Sequence, residues 1–126
     1  MKGVFFVSRT STLYAQIEDV LLRAGAVAGT DDVVQIRDDR GRLFTVYGRL
    51  DAAFEQDLFE PPVAVHGVDP PDPRSASACW VECRWPDLLV SWVQRLATEI
   101  GSPLWVLDGD GVFWSDEQLD AEAVRL

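Results

Sequence analysis

Histidine occurs once in this 126-residue chain, at His66, and cysteine only twice, at Cys79 and Cys83. The C-x-x-x-C spacing has no further Cys or His beside it, so a structural zinc site is not expected. In a strand, residues four apart lie on one face about 13 Å from each other. A disulfide needs Cα atoms within ~7 Å. Both cysteines are therefore expected as reduced core residues, in keeping with a cytoplasmic setting. Cysteine–histidine nucleophilic chemistry is not expected, because the cysteines share a strand face with Val81 and point to the core.

Basic side chains are scarce as well, with 11 Lys and Arg against 21 Asp and Glu and a net charge of −10. Such a field repels nucleic acid and anionic membrane and attracts a basic partner. No stretch approaches the ~20 apolar residues of a membrane span. Gly3–Val7 is too short for the apolar part of a secretion signal, so a soluble cytoplasmic protein is expected. The glycine-rich phosphate cradles and the nucleophile elbow G-x-S-x-G are missing. Asp108-Gly109-Asp110-Gly111 resembles the start of a calcium loop, but Val112 stands where the next oxygen ligand belongs. His66 has no visible partner constellation, and acid pairs such as Glu55 and Asp57 read as surface charge. No catalytic residue, metal or cofactor is expected, and the chain is not expected to be an enzyme.

What remains is a chain built to fold. Hydrophobic residues make up 48% and five are tryptophans, enough for one domain with its own core. Val4–Val7 reads as a strand. Thr10 or Ser11 can cap a helix over about Thr12–Ala24, whose stripe is Leu13, Ile17, Val20, Leu21 and Ala24, with Gly25 to end it. Ala26–Asp32 reads as a loop. Val33–Arg37 and Arg42–Leu50 read as strands joined by the turn Asp38-Asp39-Arg40-Gly41. Asp51–Pro73 is irregular, with room for a turn of helix around Ala52–Leu58 and a short strand at Val63–Val68. Its prolines block longer elements.

From Ala78 the signals sharpen. Cys79–Arg84 reads as a strand with Trp80, Glu82 and Arg84 opposite Cys79, Val81 and Cys83. Pro86 suits the first position of a helix and Asp87 its positive end. Leu89, Trp92, Val93, Leu96 and Ile100 form the stripe, and Gly101 closes it. Pro103–Leu107 and Val112–Trp114 form a hairpin around the Asp-Gly turn. An acidic tail follows.

The expected fold is α+β: a mostly antiparallel sheet with two helices packed on one face. The order strand, helix, glycine stop, strand, Asp-containing turn, strand occurs twice, at about 3–50 and 78–115, with 51–77 as linker. This reads as a tandem βαββ pseudo-repeat. If Tyr47, Trp80, Trp105 and Phe113 share the sheet face the helices leave open, they form an aromatic patch of the kind that marks a binding surface. If Asp51–Pro73 and the tail cover that face, they are core.

The stretch VECRWPDLLVSWVQRLATEIGSPLWVLDGDGVFW and its acidic tail resemble small actinobacterial-type immunity proteins of polymorphic toxin systems, over about a third of the chain. The resemblance implies a cytoplasmic α+β protein that binds and blocks a toxin. With the acidic charge, it points to a protein partner with a basic surface, contacted through Asp51, Glu55, Asp57, Glu60, Asp116 and Glu117. A different function follows from architecture. Paired βαββ units resemble those of GyrI-like proteins, which bind small hydrophobic molecules between modules. In that reading Tyr47, Trp80, Glu82 and Trp105 line a pocket for a hydrophobic or cationic ligand.

Overall fold

The structure is a computed structural model that describes residues 2–126. It has three helices and one eight-stranded open sheet, and all neighbouring strands but one pair run antiparallel. The elements are β1 (Gly3–Ser8), α1 (Leu13–Arg23), β2 (Val27–Ala28), β3 (Val33–Arg37), β4 (Leu43–Tyr47), α2 (Ala52–Phe59), β5 (Ala64–His66), β6 (Ser77–Glu82), α3 (Pro86–Ile100), β7 (Trp105–Leu107) and β8 (Val112–Ser115). The strand order is β2-β3-β4-β6-β1-β7-β8-β5. Both outer strands are short, β2 with two residues and β5 with three, which limits the edge open to another chain.

Alternation along the strands sorts the core onto two faces. Val4, Phe6, Val34, Ile36, Phe44, Val46, Cys79, Val81 and Val106 join one buried cluster. Into it α1 sends Leu13, Ile17, Val20 and Leu21, and α3 sends Leu88, Leu89, Val93 and Leu96. Phe5, Val7, Trp105, Leu107 and Phe113 point the other way and form a second cluster with Leu58 of α2. An eight-residue helix is too short to hold alone in water. What holds α2 is its docking: Leu58 is buried, with Phe54 and Phe59 packed beside it. Burial of that leucine contributes roughly 2 kcal/mol. Asp51 caps the helix, its Oδ1 accepting the Phe54 N–H at 2.9 Å.

A third helix, Ala52–Phe59, thus stands where the sequence pattern leaves room for a turn of helix around Ala52–Leu58, and β2 forms inside the expected loop Ala26–Asp32. The first helix also starts differently. Thr12 occupies its N-cap position and makes no capping bond, and neither Thr10 nor Ser11 takes that role. The tail is tied down: Leu119 and Val124 are buried in the first cluster, and Gly109 N–H donates to the Arg125 carbonyl at 2.7 Å.

The two Asp-containing hairpin turns share one design. Asp38 Oδ1 accepts the N–H groups of Arg40 and Arg42 at 2.9 and 2.8 Å. Asp108 Oδ1 accepts those of Asp110 and Val112 at 2.9 and 3.0 Å. Three residues on, Gly41 and Gly111 stand at φ 76° and 77°, a conformation that suits glycine. The strands around the turns are wired differently. β6 and β7 flank β1 and are parallel to each other, whereas β3 runs antiparallel to β1.

One loop carries local strain. Asp31 and Asp32 both sit at positive φ, 62° and 57°, where a side chain costs about 1 kcal/mol or more. Asp31 has only an exposed contact with Arg49 at 3.5 Å, and such pairs contribute little. Asp31→Gly is expected to raise stability by about 0.5 kcal/mol after the entropy of glycine in the unfolded chain is counted, read as a higher midpoint in urea.

Candidate functional site

The cross-strand register builds one row of side chains over the α2 face. Val33 faces Tyr47, Tyr47 faces Trp80, and Trp80 faces Phe5. The row continues through Leu107, Phe113 and Val65. Helix α2 lies over its centre, where the Phe54 ring meets Trp80 at 4.9 Å and Phe5 at 6.2 Å between centroids. Beside that contact the helix leaves a cleft of about 430 Å³. Its floor is Phe5, Trp80 and Leu107, and Asp57, Glu60 and Asp110 stand around it. These three carboxylate residues are exposed, so their charge is held at the rim of an apolar floor.

Local sequence explains each wall. Gly3 has no side chain where a Cβ would collide with the Val81 carbonyl oxygen and come within 2.8 Å of the Trp80 ring. The missing side chain therefore leaves room for the indole beside Gly3. Pro61 and Pro62 end α2 and turn the chain along the cleft, since proline cannot continue a helix. The turn at Asp108 supplies the far wall. Its buried carboxylate also accepts the Trp114 Nε1–H at 3.0 Å and the Arg125 N–H at 3.2 Å. The Trp80 Nε1–H is itself buried with no acceptor among the described residues. Such an orphan costs about 1–3 kcal/mol.

The residues singled out from sequence fall in different places. Asp57 and Glu60 line this cleft with Trp80. Asp51 is taken up by the cap of α2, and Glu55 lies exposed in its first turn. Asp116 and Glu117 line a second cavity of about 530 Å³ together with Trp105. Trp80 and Trp105 thus belong to separate cavities. Tyr47 and Glu82 line neither of these two. They sit diagonally across β4 and β6, where Glu82 faces Thr45 and Tyr47 faces Trp80, with the Tyr47 hydroxyl 3.5 Å from Glu82 Oε2. Trp105 and Phe113 are each 1% exposed, so they are core, and the aromatic row is open only near Trp80 and Tyr47. His66 stacks on Trp114 at 4.4 Å at the sheet edge. Sequence reasoning misses Phe5 and Leu107 of the floor, and it reads Asp110 only as part of a turn. The alternation of β1 and β7 was the available signal, but only the pairing of β1 between β6 and β7 brings them to Trp80.

No group of three or more His, Cys, Asp or Glu residues that could hold a metal ion occurs among the described residues. Among the described residues, no helix is long and apolar enough to cross a membrane. No family model, curated protein or solved structure matches this chain.

Burial sets the titration of the core. It pushes the Cys79 thiol up to about 12, with a smaller push from Asp32. Burial, with the nearby Glu82 carboxylate, also raises Tyr47, and burial, with Glu18, raises Tyr14. Above about pH 9 the unfolded chain releases a cysteine proton that the folded chain keeps, so the unfolded state binds fewer protons and stability falls as pH rises. Urea midpoints are expected to drop steadily from about pH 9 upward, and Cys79→Ala is expected to flatten the slope. In the native state, thiol reagents should reach Cys79 only as fast as the protein unfolds.

Proposed function

We propose that this chain is a protein-interaction domain, a toxin-neutralising immunity protein that binds and blocks a basic effector without doing chemistry itself. The observation that carries the reading is the α2 cleft: an apolar floor at Phe5, Trp80 and Leu107 with Asp57, Glu60 and Asp110 at its rim. That combination suits a lysine or arginine side chain. The aliphatic stem lies on the aromatic floor and the charged head meets the carboxylates. The net charge of −10 speeds the encounter with a basic surface and disfavours self-association.

The reading includes an internal duplication. Its support is the matching hydrogen-bond scheme at Asp38 and Asp108 and the glycines at Gly41 and Gly111. It also includes the packing of α1 and α3 together on one sheet face, supported by their shared cluster. In this view the halves have diverged, since β3 and β7 run in different directions relative to the strands that lead into their helices.

The test is direct. A basic effector domain encoded beside this chain is expected to copurify with it and lose its toxicity when the two are coexpressed. A neighbouring gene that encodes no such domain, together with no protein bound, would remove the support for the reading. A small cationic ligand could use the same cleft through Trp80. In that case a cationic drug panel would raise the melting temperature of the isolated chain, and an effector would not.

A further inference from the structure

The larger cavity lies apart from the α2 cleft, between the end of β1, the last turns of α3 and the two ends of the β7–β8 hairpin. It holds about 530 Å³, within the ~300–1,000 Å³ of small-molecule sites. It is lined by charges of both signs. Arg9 is its only basic lining residue among the described residues, and the guanidinium lies over the Trp105 ring at 4.8 Å. That ring is fixed in turn, its Nε1–H donating to the Val68 carbonyl at 2.8 Å. No carboxylate comes within ion-pair distance of Arg9 among the described residues. The negative side comes from α3, whose last turn (lining through Ala97, Thr98 and Gly101) carries no basic residue. The Gly101 N–H and the Thr98 hydroxyl cap the Ala97 and Gln94 carbonyls, but no cation offsets the negative end of the helix dipole from within its last turn. Asp116, one of whose oxygens accepts the Leu104 N–H at 2.9 Å, and the exposed Glu117 add to that sign. Val68 lines the cavity as well and is 68% exposed, an apolar surface with no cover of its own.

We infer that this cavity binds a free amino acid or a zwitterion of similar size. The carboxylate pairs with Arg9, which can take it through two parallel N–H donors. The ammonium group lies toward the end of α3 and the acids Asp116 and Glu117. An apolar side chain covers Val68 and Ala97. A simple anion would meet the acidic wall, and a simple cation would meet Arg9, so the arrangement selects for both charges in one molecule.

The experiment is calorimetric titration of the full chain with the free amino acids at up to about 10 mM, followed by analogues of the best one lacking the amino or the carboxyl group. The expected result is a dissociation constant at or below about 1 mM for at least one apolar amino acid, with each analogue at least about tenfold weaker. Arg9→Gln is expected to lose about tenfold or more and Arg9→Lys less, with unliganded melting temperatures taken to show that both variants fold. Glu117→Gln, at an exposed position, should weaken the amino acid but not its deaminated analogue. No binding by any amino acid, or an analogue with one charge binding as tightly as the parent, would overturn the assignment. Effector binding plays no part in the readout, so this inference and the protein-interaction reading stand or fall separately.

Discussion

Asp108→Ala is expected to lower stability by about 3–4 kcal/mol, the sum of several modest losses with one mechanism. The carboxylate accepts four N–H groups: those of Asp110 and Val112 in its own turn, the Trp114 indole, and Arg125 in the tail. Alanine leaves all four without their acceptor. The indole cannot turn to water, because Trp114 is only 7% exposed. A hydrogen bond to a charged acceptor is worth about 1.5–3 kcal/mol when buried and less where water can replace it. The backbone donors recover part of their loss in this way and the indole does not. For a chain of this length the change corresponds to a fall in melting temperature on the order of 10–20 °C. Asp108→Asn keeps one oxygen and is expected to lose less than half as much. Asp38→Ala removes the same turn scheme without an indole or a tail contact, so it should cost less than Asp108→Ala. If the two alanine variants were equal, the wider role assigned to Asp108 would be wrong.

That difference shows where sequence reading reaches its limit. The turn at Asp108-Gly109-Asp110-Gly111 is legible because aspartate and glycine have local reasons to be there. The bonds from Trp114 and Arg125 depend on packing and carry no local signal. The same division runs through the fold. The stripe on α3, its proline start and the left-handed Gly101 at φ 71° follow from spacing and side-chain type. The insertion of β1 between β6 and β7 and the parallel pairing of β5 with β8 are long-range choices among strands that look alike locally. Helix α2 was obscured because its stripe is short and proline follows it. Its stability comes from the sheet surface beneath Leu58 and not from propensity.

The candidate site divides in the same way. Asp57 and Glu60 were legible as acids that could meet a basic partner, and Trp80 as an aromatic on the face away from the cysteines. Their proximity was not legible, since it needs α2 docked across β1 and β6. Asp51 shows the opposite case. In sequence it belongs to the same acidic run, but its carboxylate caps a helix and is not free to make a partner contact. Replacing Asp51 should therefore disturb folding before binding, with a loss of about 1 kcal/mol from the missing cap.

Reversing the charge at the cleft is expected to have the largest effect on function. Asp57 and Glu60 are exposed and make no hydrogen bond or ion pair through their side chains among the described residues, so Lys at both positions should leave the fold intact. The double reversal replaces attraction by repulsion at the rim of the floor formed by Phe5, Trp80 and Leu107. Rim charges act mainly on the association rate, and groups that become desolvated in a complex act on dissociation. With both contributions, affinity for a basic partner is expected to fall by about 100-fold, with most of the rate loss disappearing at high salt. Glu55→Lys changes the charge by the same amount per residue but lies outside the cleft, and should cost less than about threefold.

The most direct measurement is the dissociation constant of the wild-type chain and of the Asp57→Lys/Glu60→Lys variant for the basic effector domain encoded beside it. Both proteins are compared at one ionic strength, and their melting temperatures are recorded in parallel. The account predicts tight wild-type binding, equal melting temperatures and an affinity loss of about 100-fold in the variant. Equal affinities in two equally stable proteins would contradict it.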